Sequence, residues 1–435
     1  MPPHSEWKNR LLHGLEDPIV FLRWLLFAAI ISLVSGAVST AFYYAFHWAT
    51  QTRSAHPWLL WLLPVGGVAI VLLYRICGMS KDGGTNLVLT TVRENTPLPL
   101  RTAPLVFIST IITHLVGGSS GREGAILQIG SSISAYIGRL VRLDEKDSRV
   151  ITMCGMSAAF AALFGTPLTA AFFAMEVVSV GVMYYAAIVP CILSALIGLS
   201  VAHFLGVPGT SFALQGIPDL APLSLIQAIG MGILLALLSI LFCKTMFLVS
   251  RKYKKLFPNP LVRVLVGSVL VIAVTYAVWI WNPGTYDYNG AGEALIHAAI
   301  EGHARPEAFL LKILLTALTL GAGFKGGEIV PVFFTGATFG CVAAPLIGLH
   351  PSFGAGLGMV GLFCGVTNCP LSSLLLALEL FAGSGGLFPG QSLGLFAVTI
   401  AVSYMLSGYY SLYSEQKILY SKLRPEFINR KAGKK

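Results

Sequence analysis

Three glycine-rich turns in this chain lead straight into apolar runs, and two of them carry a carboxylate. Gly121-Arg122-Glu123-Gly124 opens one run, Gly326-Gly327-Glu328-Ile329-Val330-Pro331 opens a second, and Gly83-Gly84-Thr85-Asn86 opens a third. Glycines ahead of a helix let the backbone bend and turn its free amides inward. The first amides of a helix have no intrahelical acceptor, so they attract anions. A carboxylate at such a turn occupies the anion site itself. Once protonated it loses its charge and yields the place to a diffusing anion. A carboxylate that trades places with an anion couples proton movement to anion movement. Pro331 suits the first turn of a helix, where a missing N–H costs little. The amides of Ile329 and Val330 are placed to face the same anion as those near Glu123. Thr85 offers a hydroxyl donor.

Each turn also has a plainer reading. Arg122 and Glu123 could form a structural ion pair, or Glu123 could sit at a membrane edge favoured by the helix dipole. Gly326-Gly327 could be a simple loop, and Gly83-Gly84-Thr85 a helix cap. Ionisable residues inside apolar segments are costly, about 2.5–3.5 kcal/mol each near a bilayer centre, and are functional by default.

The elements that position these turns come in two similar halves. Gly155-Met156, Phe160, Pro167-Leu168 and Glu176 are echoed by Gly358-Met359, Phe363, Pro370-Leu371 and Glu379, each pair 203 residues apart. Glu123 and Glu328 are 205 apart. A duplicated hydrophobic unit with Gly-broken segments at matching places points to a transporter binding site. Glu176 and Glu379 close equivalent apolar segments. A structural role at helix ends is favoured for them over a proton-entry role.

Composition sets the class. Hydrophobic residues make up 55% of the 435 residues and charged residues 11%, against about 25% charged in a soluble domain. This is a polytopic membrane protein, with length for on the order of a dozen segments. Several apolar runs are too short for a perpendicular span, which predicts tilted helices and helices broken partway through the bilayer. The expected division is an N-terminal segment 1–18, a transmembrane domain 19–423 with repeats at about 19–206 and 222–410, and a solvated basic tail 424–435.

The net charge is +10. Its basic residues gather at the ends and in loops (Lys8 and Arg10; Arg251, Lys252, Lys254 and Lys255; Lys417, Lys422, Arg424, Arg430, Lys431, Lys434 and Lys435). That pattern fits the positive-inside rule with both termini cytoplasmic, and it argues against nucleic-acid binding. The seven cysteines show no metal or disulfide spacing. His114 reads as a packing histidine ahead of a glycine cluster. With Ser119 and Ser120 it would make only a weak dyad, and no H-E-x-x-H or G-x-S-x-G motif supports an intramembrane enzyme. Tyr413 and Tyr420 are interfacial belt residues, or one of them aims its hydroxyl into the pathway.

These residues resemble the CLC family of chloride channels and proton-coupled anion antiporters, over nearly the whole chain from Ile19 to Leu423. Gly121-Arg122-Glu123-Gly124 looks like that family's glycine-basic-Glu-glycine motif. Gly327-Glu328-Ile329-Val330-Pro331 is similar to its G-x-x-x-P filter segment, and Leu419-Tyr420-Ser421 to the segment bearing its central tyrosine. The resemblance implies an all-α fold with an inverted repeat and a homodimer in a bacterial-type plasma (inner) membrane. It also implies Glu123 as the gating and proton-carrying residue. The anion-binding set it implies is Thr85, Gly121, Arg122, Gly124, Gly327, Ile329, Val330 and Tyr420. The implied partners are chloride or fluoride, protons and lipid, with no metal or cofactor. Ile329 replaces the commoner Phe and Ala125 the usual Pro, and Val177 stands where many exchangers carry an intracellular proton glutamate. The altered filter looks more like the fluoride-exporting branch, and Val177 keeps a passive channel as an alternative.

Overall fold

The structure is a computed structural model. It describes residues 4–80, 82–281, 286–382, 390–424 and 426–432, the side chains of residues 4–20, 390 and 391 excepted. The basic side chains of Lys8, Arg10, Lys434 and Lys435 therefore lie outside the described residues, as do all side chains of the N-terminal segment. The first half holds α1 (His4–Ala55), α2 (Leu63–Ile76), α3 (Thr85–Glu94), α4 (Thr102–Leu115), α5 (Glu123–Leu140), α6 (Glu145–Phe164), α7 (Pro167–Glu176) and α8 (Ile188–Phe204). The second half repeats the order with α9 (Pro222–Leu256), α10 (Pro260–Trp281), α11 (Glu293–Ile300), α12 (Ala308–Ala322), α13 (Ile329–Ala343), α14 (Pro351–Thr367), α15 (Pro370–Leu380) and α16 (Gly390–Leu406).

Local signals explain where these helices begin and end. Proline occupies the first turn of α7, α9, α14 and α15, where its fixed φ suits the helix. Gly165, Gly323, Asn95 and Asn368 end α6, α12, α3 and α14 in the left-handed region. Six helical spans among the described residues are long and apolar enough to cross a membrane, and shorter apolar helices stand beside them. α5, α6, α13 and α14 are buried on nearly all sides, whereas α9 and α10 expose Ile226, Leu237, Val269 and Ile280 outward, as helices facing lipid do. Glycines let the buried pairs close: a methyl added at Gly155 would collide with Gly130 of α5, and one at Gly358 with Gly336 of α13. That accounts for the matched Gly155 and Gly358 of the repeat.

The halves meet antiparallel. Glu176, at the end of α7, accepts from the amides of Leu371 (3.0 Å) and Ser372 (2.8 Å) at the start of α15. Glu379, at the end of α15, accepts from Leu168 (2.8 Å) and Thr169 (2.9 Å) at the start of α7. Two equivalent helices can cap each other's first turns only when they run in opposite directions. Each carboxylate serves as a shared N-cap, so the structural reading of both is the one the geometry favours.

Two expectations change. The helices are joined by a small sheet of β1 (Ser179–Val180), β2 (Lys417–Tyr420) and β3 (Phe427–Lys431), with β1 parallel to β2 and β2 antiparallel to β3. β3 lies within the tail expected to be solvated. It folds back because Lys431 pairs with Glu415, Arg430 stacks 3.7 Å from the Tyr409 ring centroid, and the Ala432 amide donates to Gln416. At the other end, α1 begins at His4, so the N-terminal segment continues directly into the first long helix.

Candidate functional site

α3, α5 and α13 each begin at one of the three glycine turns, and their N-termini converge. The turns before α5 and α13 are stitched together by a two-residue antiparallel bridge. The Gly121 amide donates to the Gly327 carbonyl at 2.6 Å, and the Gly327 amide to the Gly121 carbonyl at 2.7 Å. The bridge corrects one expectation: Gly121 and Gly327 spend their amides on each other and have none left for an anion. Their role is to hold the two turns in contact. A side chain at Gly327 would point its Cβ at the amides of Gly124 (2.5 Å) and Glu123 (2.9 Å).

Across this bridge Glu123 lies fully buried. Its Oε2 accepts from the amide of Arg122 at 3.0 Å and from the amide of Val330 at 3.1 Å. One donor belongs to each half of the repeat, so the carboxylate lies in the cradle both turns build. Its Oε1 has no hydrogen-bond partner among the described residues, and the Arg122 Nε stands 3.7 Å away. The Arg122 guanidinium stacks on Tyr43 and Phe46 and reaches Glu293 at 3.3 Å. Ile329 is buried as the first residue of α13, and Gly124 is buried in the first turn of α5.

Two cavities adjoin the residues around Glu123. One, of about 240 Å³, is lined by Tyr43, His47, Arg122, Glu293, His297 and Val330 among others. The other, of about 180 Å³, is lined by Thr85, Gln128, Gly326, Glu328, Asp82 and Lys325 among others. Thr85 is the first residue of α3, and its hydroxyl accepts from Gln128 Nε2 at 3.4 Å. The Glu328 carboxylate and the Thr85 hydroxyl both close on Gly124: a Cβ there would meet Thr85 Oγ1 at 3.2 Å and Glu328 Oε2 at 3.5 Å. Sequence reasoning missed Gln128. It is one turn beyond Gly124 on α5, a spacing that could have marked it.

Tyr420 is not part of this constellation. It is 45% exposed on β2 and packs edge-on against Phe427. Tyr413 takes the expected place: it is buried, its hydroxyl has no partner among the described residues, and it lies within electrostatic reach of Glu328 and Glu123. The correction has a chain-geometry cause. β2 carries Tyr420 out to the sheet, whereas the turn after α16 folds back beneath α14, with the Leu412 amide donating to Val366. His114 holds backbone carbonyls of Thr110 and Ser120 at 2.9 Å each, and Ser119 Oγ bonds Tyr288 and Thr316, so no Ser–His dyad forms. No cluster of metal-ligating side chains occurs among the described residues.

Residues 65–408 match the family model for voltage-gated chloride channels. The chain belongs to the CLC family. It is 35% identical to a chloride/fluoride channel protein of Pseudomonas syringae pv. tomato, over 92% of this chain and 87% of that protein. It is 23% identical to the H(+)/Cl(-) exchange transporter ClcA of Vibrio parahaemolyticus, over 82% of this chain and 81% of that one. Among solved structures it is similar to a CLC-type fluoride/proton antiporter, with TM-score 0.85 and 32% identity over 91% of this chain and 98% of that one. A slow cyanobacterial Cl-/H+ antiporter shares the fold, with TM-score 0.73 and 20% identity over 88% and 94% of the two chains. The chain is thus an integral multi-pass membrane protein of a CLC anion transporter type, and not an enzyme.

Proposed function

We propose that this CLC protein exchanges a small anion for protons, with fluoride as the favoured anion and Glu123 as the moving part. The observation that carries the reading is the Glu123 carboxylate oxygen held between the Arg122 and Val330 amides, with one cavity lined by Arg122 and Val330 and another by Thr85 and Glu328. In that position a carboxylate competes for the same donors an anion needs. Protonation removes its charge and half its acceptor strength, so the cradle passes to the anion. Return of the carboxylate expels the anion and releases the proton. Each cycle therefore moves both species, in opposite senses.

Fluoride is supported by the second carboxyl, Glu328, on the Thr85 side. Fluoride is small and a strong hydrogen-bond acceptor, so a protonated carboxyl beside the path is a matched donor. The ionised form of the same group repels any anion, and a larger, weaker acceptor such as chloride gains least from the donor. The similarity to a fluoride/proton antiporter points the same way. The basic end of α9, with Arg251, Lys252, Lys254 and Lys255, supports placing the Thr85 cavity on the cytoplasmic side of Glu123, with the protein in a bacterial-type inner membrane. The family resemblance supports a homodimer as part of the same reading.

The test is flux from liposomes reconstituted with the full chain. A proton gradient is expected to drive fluoride uphill, and fluoride is expected to outcompete chloride. Transport is expected to rise as pH falls, because the carboxyl must be protonated to leave its cradle. Glu123→Gln should abolish proton coupling and that pH dependence. Flux that is passive in the unsubstituted protein would refute the exchange and establish the channel reading that Val177 keeps open.

A further inference from the structure

A wider cavity adjoins the Thr85 cavity and takes no part in the exchange as described so far. It measures about 730 Å³ and is lined by Tyr74, Arg75, Lys254 and Arg263 among others. Asp82, Leu320, Phe324 and Lys325 line both cavities. These four side chains therefore form the boundary between the two. Across it Lys325 Nζ donates to Asp82 Oδ2 at 2.8 Å. Lys325 stands on the turn that leads to Glu328 and α13. Asp82 stands on the turn that leads to Thr85 and α3. The ion pair thus spans the two turns at the mouth of the anion cavity.

The pair does not have the features of a simple brace. A structural carboxylate at this place would cap α3, but the cap position of α3 receives no side-chain hydrogen bond. The Asp82 side chain is 2% exposed, and its Oδ1 has no donor among the described residues. Buried carboxylates that only hold structure are normally satisfied on both oxygens. Lys325 is less confined: its side chain is 25% exposed and its ammonium lies 4.3 Å from the Tyr74 ring centroid. No carboxylate pairs with Arg75, Lys254 or Arg263 among the described residues, and only Arg263 is engaged, through its Nε to the Ala322 carbonyl at 3.3 Å. The wide cavity is therefore a basin of positive charge that ends at one cation bearing one under-bonded counter-ion. Such a basin concentrates anions, and the first anion to arrive competes with Asp82 for Lys325.

We propose that Lys325 receives the transported anion at this mouth and that Asp82 is a counter-ion the anion displaces on its way to Thr85. The inference rests on the anion route proposed above. It makes Asp82 a brake: removing its charge should help the anion, whereas a brace would only be weakened by the same change.

The experiment measures initial fluoride flux against fluoride concentration in liposomes, for the full chain and for Asp82→Asn, Lys325→Met and Lys325→Arg. Asp82→Asn is expected to lower the half-saturating concentration about tenfold, and Lys325→Met to raise it about tenfold, the scale of one unit charge at close range near a protein surface. Lys325→Arg keeps the charge and should stay within about threefold of the parent, which keeps the test valid if Lys325→Met does not fold. Vesicles of phosphatidylcholine alone and vesicles containing phosphatidylglycerol should give the same shifts. Shifts confined to the phosphatidylglycerol vesicles would mean that Lys325 holds a lipid headgroup, and would overturn the proposal. An unchanged or raised half-saturating concentration for Asp82→Asn would also overturn it, while leaving the exchange reading intact if the parent still transports and Glu123→Gln still uncouples it. No fluoride flux in the parent would overturn both.

Discussion

Gly327→Ala is the smallest change that should dismantle the anion cradle. The new Cβ would lie 2.5 Å from the Gly124 amide nitrogen, 2.9 Å from that of Glu123 and 3.3 Å from the Gly124 Cα. All three neighbours are backbone atoms, so no flexible side chain can move aside. Ordinary contact begins at 3.4 Å, so the two turns must separate by roughly 1 Å. The bridge bonds between Gly121 and Gly327, now 2.6 and 2.7 Å, would then stretch beyond useful length. Losing both costs about 2 kcal/mol, and forcing packed backbones apart about 1–3 kcal/mol more. The same separation pulls the Val330 amide from the Arg122 amide, the two donors that hold Glu123 between them. A preorganised site displaced by such a distance loses about a hundredfold in rate. The assay is fluoride flux in liposomes beside thermal unfolding in detergent. Gly230→Ala is the control: its Cβ would meet nothing within 4 Å, in the middle of α9, and it should leave flux alone while stabilising the helix by about 0.5–1 kcal/mol. Parental flux and an unchanged melting temperature in Gly327→Ala would refute the cradle.

Other substitutions test the frame and the tyrosine. Glu176→Ala and Glu379→Ala each strip two amides of a partly buried helix start, and should cost about 1–2 kcal/mol in thermal unfolding; Glu176 should cost more, because the Ser372 hydroxyl also donates to it. Equal stability of either variant and the parent would show that the caps do not matter. Tyr413→Phe removes a hydroxyl that has no partner among the described residues, so stability should hold while the half-saturating anion concentration rises about threefold or more, the loss of one net hydrogen bond; Tyr420→Phe should change neither. Lys422 donates to Asn368, to the Tyr404 carbonyl and to Ser407, so Lys422→Met should lower stability by about 1–3 kcal/mol by leaving those acceptors unpaired, measurable as a lower melting temperature.

What was legible in the sequence was local and periodic. Composition alone forces a membrane protein, and the three glycine turns mark three helix starts because an N-terminus needs free amides and a backbone able to bend. Glu123, Arg122, Val330 and Thr85 follow from those turns, and the structure brings all four together. The losses were of another kind. Tyr413 stands in the irregular segment before β2 and Tyr420, seven residues on, at its end, and only the path of the backbone around β2 decides which hydroxyl turns inward. The reciprocal caps of Glu176 and Glu379 join residues about two hundred positions apart, so their matched spacing shows equivalence but not contact. β3 forms from a strongly basic stretch, because Glu415 and Tyr409 are there to receive Lys431 and Arg430. Gly121 and Gly327 look like donors in sequence, and only pairing across the repeat shows that each consumes the other's amide.

That pairing also explains how two similar halves come to use their carboxylates differently. In sequence Glu123 and Glu328 look equivalent. The bridge sets Gly121 opposite Gly327, so Arg122 corresponds to Glu328 and Glu123 to Ile329. The helix boundaries agree: Arg122 and Glu328 are the cap residues of α5 and α13, and Glu123 and Ile329 the first helical residues. A slip of one residue at a helix start turns a side chain by about 100°. Glu123 therefore bends into the cradle and bonds the Val330 amide of the other half, whereas Glu328 faces the Thr85 cavity. The corresponding place in the first half is held by the Arg122 side chain, on the other side of Glu123. The frame supplies two amide-lined turns by symmetry. The one-residue offset then gives the proposed path a carboxyl on one side, a guanidinium on the other and a single acid between them, and on the proposed exchange a path whose two ends differ in charge favours one order of proton and anion movement.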